Sequence, residues 1–146
     1  MRRKVALLAY SVIAVNNLVF GAIYLTSDRF LSYHSQAVGS AWEDVDHGTQ
    51  ALILALMKLA GGGWLALGLI TIALVLSELK QSRTLVRWAL PVGTLMFYTP
   101  SLAATWSGYR ETGAQAPWIP SLVMIGVVLV AIIIDAPWSR SPQSKG

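Results

Sequence analysis

The 146-residue chain has no cysteine. That absence excludes disulfide staples, Cys-ligated zinc, iron–sulfur centres and thiol catalysis. Charge is scarce too. Asp, Glu, Lys and Arg make up 12% of the residues, against about 25% in an ordinary soluble domain. So few charges cannot cover a water-facing surface. What the chain has instead is apolar: 55% hydrophobic residues and a mean hydropathy of +0.57. A disordered chain is excluded on that ground.

A bilayer core about 30 Å thick needs roughly 20 mostly apolar residues to cross it as a helix. Four stretches qualify: 5–25, 51–76, 88–106 and 118–134. The second holds one charge, Lys58, and the others hold none. Together they cover more than half the chain and leave no room for a second domain. The runs are continuous rather than alternating, which excludes a membrane β-barrel. The expected fold is all-α: a single four-span membrane bundle over 1–146, with an outer loop at 26–50 and a disordered tail at 139–146.

Orientation follows from Lys and Arg. Arg2, Arg3, Lys4, Lys80, Arg83, Arg87, Arg140 and Lys145 fall on one side, and only Arg29 and Arg110 on the other. Both termini are therefore expected in the cytoplasm. A basic rim facing anionic lipid accounts for the net charge of +4 without nucleic acid. The N-terminus has the look of a signal peptide, but its apolar run is long and no A-x-A site follows, so an uncleaved first span is expected. Tyr33, Trp42, Trp106, Tyr109 and Trp118 mark the outer interface, and Trp88 and Trp138 the inner one. Trp64 does not fit this belt and lies inside the second span.

Gly61, Gly62, Gly63 and Gly68 crowd the second span. Gly62 and Ala66 have the small-x-x-x-small spacing that lets helices approach closely in lipid. Packing within the bundle and self-association both fit. Pro91 suits the first turn of the third span, and Pro100 is expected to kink it and free a carbonyl that Thr99 or Ser101 covers.

At 1.5 Å per residue, Asn16, Asn17, Lys58, Tyr98 and Thr99 fall in one layer roughly 10–12 Å below the outer boundary, counted from residues 25, 50 and 106. The expectation is an outward-opening polar pocket floored by Lys58, with Asn16, Asn17, Tyr98, Thr99 and Gln50 as ligand contacts. An anionic or carbonyl-bearing small molecule fits it. The bland alternative is a snorkelling lysine and asparagines that glue helices together.

The loop at 26–50 is expected to hold a short interfacial helix from Phe30, Leu31, Tyr33, His34, Ala37 and Val38, ended by Gly39. Ser40 and Glu43 match a capping box, with Asp46 as an alternative cap for the second span. Tyr33, His34, Trp42 and Glu43 are candidate contacts there. His34, His47 and Asp46 are weak metal candidates, since imidazole and carboxylate suit zinc, copper or iron but their spacing matches no pattern. No catalytic constellation and no cofactor motif stands out. Asp135 is expected to pair with Arg83 or Arg87.

The segment 33–63 (YHSQAVGSAWEDVDHGTQALILALMKLAGGG) and the later TGAQAPW at 112–118 resemble uncharacterised small bacterial four-helix membrane proteins, broadly DoxX-like. The resemblance implies topology and a bacterial inner membrane, and carries no activity. Gly113 stands where proline is usual in that group, which implies a looser turn. The preferred function is a non-enzymatic accessory subunit of a larger membrane complex, or a small-ligand or lipid binder. A membrane enzyme or redox helper acting on a lipid-like or quinone-like substrate through Lys58 and His34 is the second reading. An oligomeric transporter or channel assembled through the second span is the third.

Overall fold

The computed structural model describes residues 1–81 and 83–138. The expected tail at 139–146 lies outside them. The described residues form α1 (Arg2–Thr26), α2 (Ser32–Val38), α3 (His47–Lys80), α4 (Thr84–Thr112) and α5 (Trp118–Asp135), with a 3-10 turn at Trp42–Asp44 before α3. No strand occurs among the described residues, as the apolar runs predict.

The four long helices pack side by side, α1 mainly on α3 and α5, and α4 mainly on α5. Neighbours in sequence run antiparallel. Arg3 at the start of α1 meets Glu78 at the end of α3, and Arg87 at the start of α4 meets Asp135 at the end of α5. Each helix buries one stripe at helical spacing. In α1 it is Ala6, Leu7, Tyr10, Ile13, Ala14, Asn17 and Gly21. The core gathers Leu7, Tyr10, Ile13, Val75, Val86, Leu90, Tyr98 and Val128.

Glycine sets the α1–α3 seam. A Cβ on Gly21 would stand 2.7 Å from Leu65 Cγ and 2.8 Å from the Leu65 backbone nitrogen. One on Gly61 would stand 2.9 Å from Tyr24 Cβ, and one on Gly68 2.8 Å from Leu18 Cδ2. The seam therefore uses Gly61 and Gly68, while Gly62 and Ala66 point away and are exposed.

Three helices are long and apolar enough to cross a membrane: α1, α3 and α5. Only 17% of the most apolar window of α5 is buried, so its apolar side chains face outward in a way that suits lipid rather than water. The fourth expected span differs. At 29 residues α4 is long, but Thr94, Tyr98, Thr99, Pro100 and Ser101 dilute its apolar run, and it is not among the three. It continues unbroken through Pro91 and Pro100.

The 26–50 segment folds as expected in part. The short helix α2 ends at Gly39, whose φ of 73° is the left-handed conformation glycine adopts without strain. The Ser40–Glu43 capping box does not form, because Ala41 rather than Ser40 takes the N-cap position of the 3-10 turn and has no side chain to cap it. Asp46 caps α3 instead, accepting from the Thr49 N–H at 3.0 Å. Gly113 ends α4 at φ 70° with its N–H on the Tyr109 carbonyl at 2.9 Å. Proline cannot reach that φ, so Gly113 closes this turn rather than loosening it.

Candidate functional site

The Arg-rich end is tied shut by charge. Glu78 is buried, takes the guanidinium of Arg3, and accepts the Arg83 N–H at 3.0 Å. Arg87 is buried as well. Its Nε donates to Asp135 Oδ2 at 3.0 Å, and its Nη2 donates to the Asp135 and Ala136 carbonyls at 2.7 and 3.0 Å. An acid at a helix C-terminus is disfavoured by the dipole, and here the arginine offsets it while capping the last carbonyls. Ala136 sits at φ 45° beneath that guanidinium. Of the two expected partners of Asp135, Arg87 is the one that binds it. The buried role of Glu78 went unforeseen, and its place opposite Arg3 across an antiparallel pair is the signal that reveals it.

The opposite half holds a cavity of about 160 Å³. All four long helices line it. From α1 come Asn16, Phe20 and Tyr24, four residues apart on one face; α3 gives Ala60 and Trp64. Tyr98, Ser101 and Thr105 come from α4, and Pro120 and Ser121 from α5. Phe20 stacks on Trp64 with ring centres 5.6 Å apart, and Trp64 meets Tyr98 edge-on at 5.4 Å. Trp64, the tryptophan outside the interfacial belt, is thus a wall of the cavity.

Two lining residues, Asn16 and Tyr98, join Asn17, which lies behind the cavity wall, in a hydrogen-bonded trio. Tyr98 reaches from α4 to α1, its hydroxyl donating to Asn17 Oδ1 at 2.5 Å and accepting from Asn16 Nδ2 at 3.1 Å. Tyr98 and Asn17 are fully buried, and Asn16 is half-buried. Asn17 Nδ2 has no partner among the described residues.

Three of the expected contacts, Asn16, Asn17 and Tyr98, are therefore brought together. Lys58, Thr99 and Gln50 are not. Lys58 is exposed and lines no part of the cavity. The glycine seam explains why: Gly61 lies against Tyr24, so Lys58 sits about 4.5 Å farther along, level with the end of α1 and well beyond Asn17. Thr99 is exposed and Ser101 lines the cavity in its place. Gln50 donates from Nε2 to the Trp42 carbonyl at 2.7 Å.

The α2 segment caps this half. The Tyr24 and Tyr33 hydroxyls hydrogen-bond, and Gln36 Oε1 accepts the Gln115 N–H at 3.0 Å. His34 lies beside Tyr33, ring centres 4.1 Å apart, and its Nδ1 accepts the Leu31 N–H at 3.1 Å. The imidazole is neutral in that role, and burial pushes its pKa below the ordinary value. Trp42 packs edge-on against Phe30 at 4.9 Å, while Glu43, Asp46 and His47 are exposed. No three His, Asp or Glu side chains among the described residues come together to hold a metal. Trp106, Tyr109 and Trp118 cluster at this end, within 5.8 Å of one another. No protein-family model, no curated protein and no solved structure matches the chain.

Proposed function

We propose that the chain is a four-span inner-membrane protein with both termini in the cytoplasm, and that it binds a small uncharged molecule in the outer half of the bundle. The observation that carries this reading is the cavity of about 160 Å³ lined by all four long helices, with Asn16 and Tyr98 hydrogen-bonded in its wall. Its walls are largely aromatic and aliphatic, a few neutral polar groups (Asn16, Tyr98 and Ser101 among them) interrupt them, and its lining carries no charged side chain. Such a site suits a largely apolar ligand fixed by a few hydrogen bonds. The exposed position of Lys58 removes the reason to expect an anion there. α4 is counted as the fourth span because its polar residues Thr94 and Tyr98 are buried against its neighbours rather than facing outward, which is where polar groups in a membrane helix belong.

The DoxX-like resemblance and the Arg-rich end support the orientation. A second reading, an accessory subunit, draws on the exposed Gly62 and Ala66, which leave α3 a smooth face for a partner helix.

Two measurements test the proposal. Because the chain lacks cysteine, single cysteines report topology cleanly. Asp28→Cys and Glu111→Cys are expected to react with an impermeant maleimide on intact spheroplasts, and Lys80→Cys only after lysis. Labelling of Lys80→Cys from outside rejects the topology. For the cavity, fluorobenzene is added to the protein in bicelles. A nuclear Overhauser contact between its fluorine and the Trp64 ring is expected, and Ala60→Trp should abolish it by filling the space. A contact that survives Ala60→Trp, or none in the folded wild type, rejects the site.

A further inference from the structure

We infer that the cavity selects a neutral six-membered ring bearing a hydroxyl group, a phenol-type head, and that Asn16 is the residue that recognises it. The inference rests on the cavity being a ligand site. Size comes first. A protein cavity of about 150 Å³ holds one benzene ring, and this one measures about 160 Å³. Shape agrees. Phe20 offers its ring beside Trp64, and Trp64 stands edge-on to both Phe97 and Tyr98. Offset and edge-to-face contacts favour another ring over an aliphatic branch.

Polarity decides the substituent. Tyr98 has a single hydroxyl proton, already given to Asn17 Oδ1, so it has none left for a ligand. Asn16 spends one of its two N–H groups on the Tyr98 oxygen. Its second N–H and its carbonyl oxygen enter no hydrogen bond among the described residues. The amide of Asn16, a lining residue, therefore keeps one donor and one acceptor without a partner among the described residues. A ketone or ether oxygen answers only the donor. An ammonium answers only the acceptor and brings a charge that nothing in the lining neutralises. A hydroxyl both donates and accepts, so it satisfies both halves of the amide. The exposed members of the lining, Ala60, Ala104 and Pro120, are small and apolar, which opens the cavity toward lipid rather than water.

The test compares 4-fluorophenol, 4-fluoroanisole and fluorobenzene, each titrated onto the full chain in bicelles and read by fluorine relaxation and the contact to Trp64. 4-Fluorophenol is expected to bind about tenfold more tightly than 4-fluoroanisole, the worth of one well-placed hydrogen bond, and more tightly still than fluorobenzene. 4-Fluoroanisole keeps the oxygen and can accept the Asn16 N–H but cannot donate, so it should fall between fluorobenzene and 4-fluorophenol. Asn16→Leu should erase the phenol preference and leave fluorobenzene bound. Equal binding of phenol and anisole to the wild type, or a phenol preference that survives Asn16→Leu, overturns the inference and leaves the cavity reading intact. Failure of all three rings to touch Trp64 in the folded protein overturns both. The comparison of phenol with anisole needs no variant, so poor folding of Asn16→Leu does not shield the claim.

Discussion

At the Arg-rich end, a buried carboxylate and a partly buried one are each held by an arginine: Glu78 by Arg3 and Asp135 by Arg87. At the α2 end the buried polar groups are neutral, and they surround a space of about 160 Å³ instead of filling it. The contrast follows from what each kind of group costs. A buried charge without its partner is expensive, so charged pairs fix the helix ends in one arrangement. An amide or hydroxyl that keeps a free hydrogen-bonding position costs far less, so neutral groups can wait for a ligand.

The sharpest way to break this contrast is Arg87→Met. Asp135 Oδ1 has no partner among the described residues, and losing Arg87 would take away the donor to Asp135 Oδ2 and to the Asp135 carbonyl. A loss of about 3–5 kcal/mol is expected, read from unfolding in detergent. Combining it with Asp135→Leu should restore most of that loss, because the charge needing a partner is gone. A single variant as stable as the wild type would show that the pair holds nothing.

Next comes the seam that joins the two halves. Gly21→Ala places a methyl against the backbone nitrogen of Leu65, which cannot swing aside as a side chain can. Overpacking of this kind costs about 1–3 kcal/mol. Gly62→Ala meets nothing within 4 Å and should leave stability unchanged. Equal thermal shifts for the two variants would contradict the packing described.

Tyr98→Phe is expected to cost about 1 kcal/mol, in line with interhelical hydrogen bonds between membrane helices. It removes the bridge from α4 to α1 and leaves Asn17 Oδ1 buried without its donor. The effect should concentrate in the cavity half: faster amide exchange near Asn17 and Tyr98, with the Arg87–Asp135 end unchanged. Uniform loosening of both ends would mean that the halves are not separable.

The helices were legible in the sequence because uninterrupted apolar runs leave few alternatives. Their relative depth was not. Counting inward from residue 50 placed Lys58 beside Asn17, but α3 begins at His47 and its register against α1 is set by Gly61 meeting Tyr24 and Gly68 meeting Leu18. That register is a property of two surfaces in contact, and no single run of residues states it. The Asn–Tyr trio was visible because Asn16, Asn17 and Tyr98 are rare polar groups in apolar runs. Trp64 stood out only as a tryptophan away from the interfacial belt, and Phe20 and Ser121 were not marked, since an aromatic or a serine reads as ordinary packing until the space beside it is seen. Thr99 and Ser101 illustrate the limit: each neighbours the trio in sequence, and only the helix phase decides which one turns inward.

The smallest expected effect concerns the two caps at the α2 end, which acid should release in order. His34 Nδ1 accepts the Leu31 N–H only while the imidazole is neutral. Burial lowers its pKa in the folded chain, so the folded state binds fewer protons than the unfolded state just below the ordinary value of about 6.5. The stability His34 contributes is therefore complete above that value and drains away as pH falls toward the folded pKa. Asp46 behaves alike at a lower range. Hydrogen bonds from the Thr49 hydroxyl and backbone N–H hold its carboxyl below the usual value, so its cap on α3 persists until pH falls through that depressed pKa. As pH drops from 7 to 5, amide exchange in α2, corrected for intrinsic rates, should rise while the first turn of α3 stays protected. His34→Gln, which cannot take up the proton, should flatten the α2 response. If α2 and the first turn of α3 loosen together, or α2 shows no pH dependence, the imidazole is not what holds α2 over the cavity.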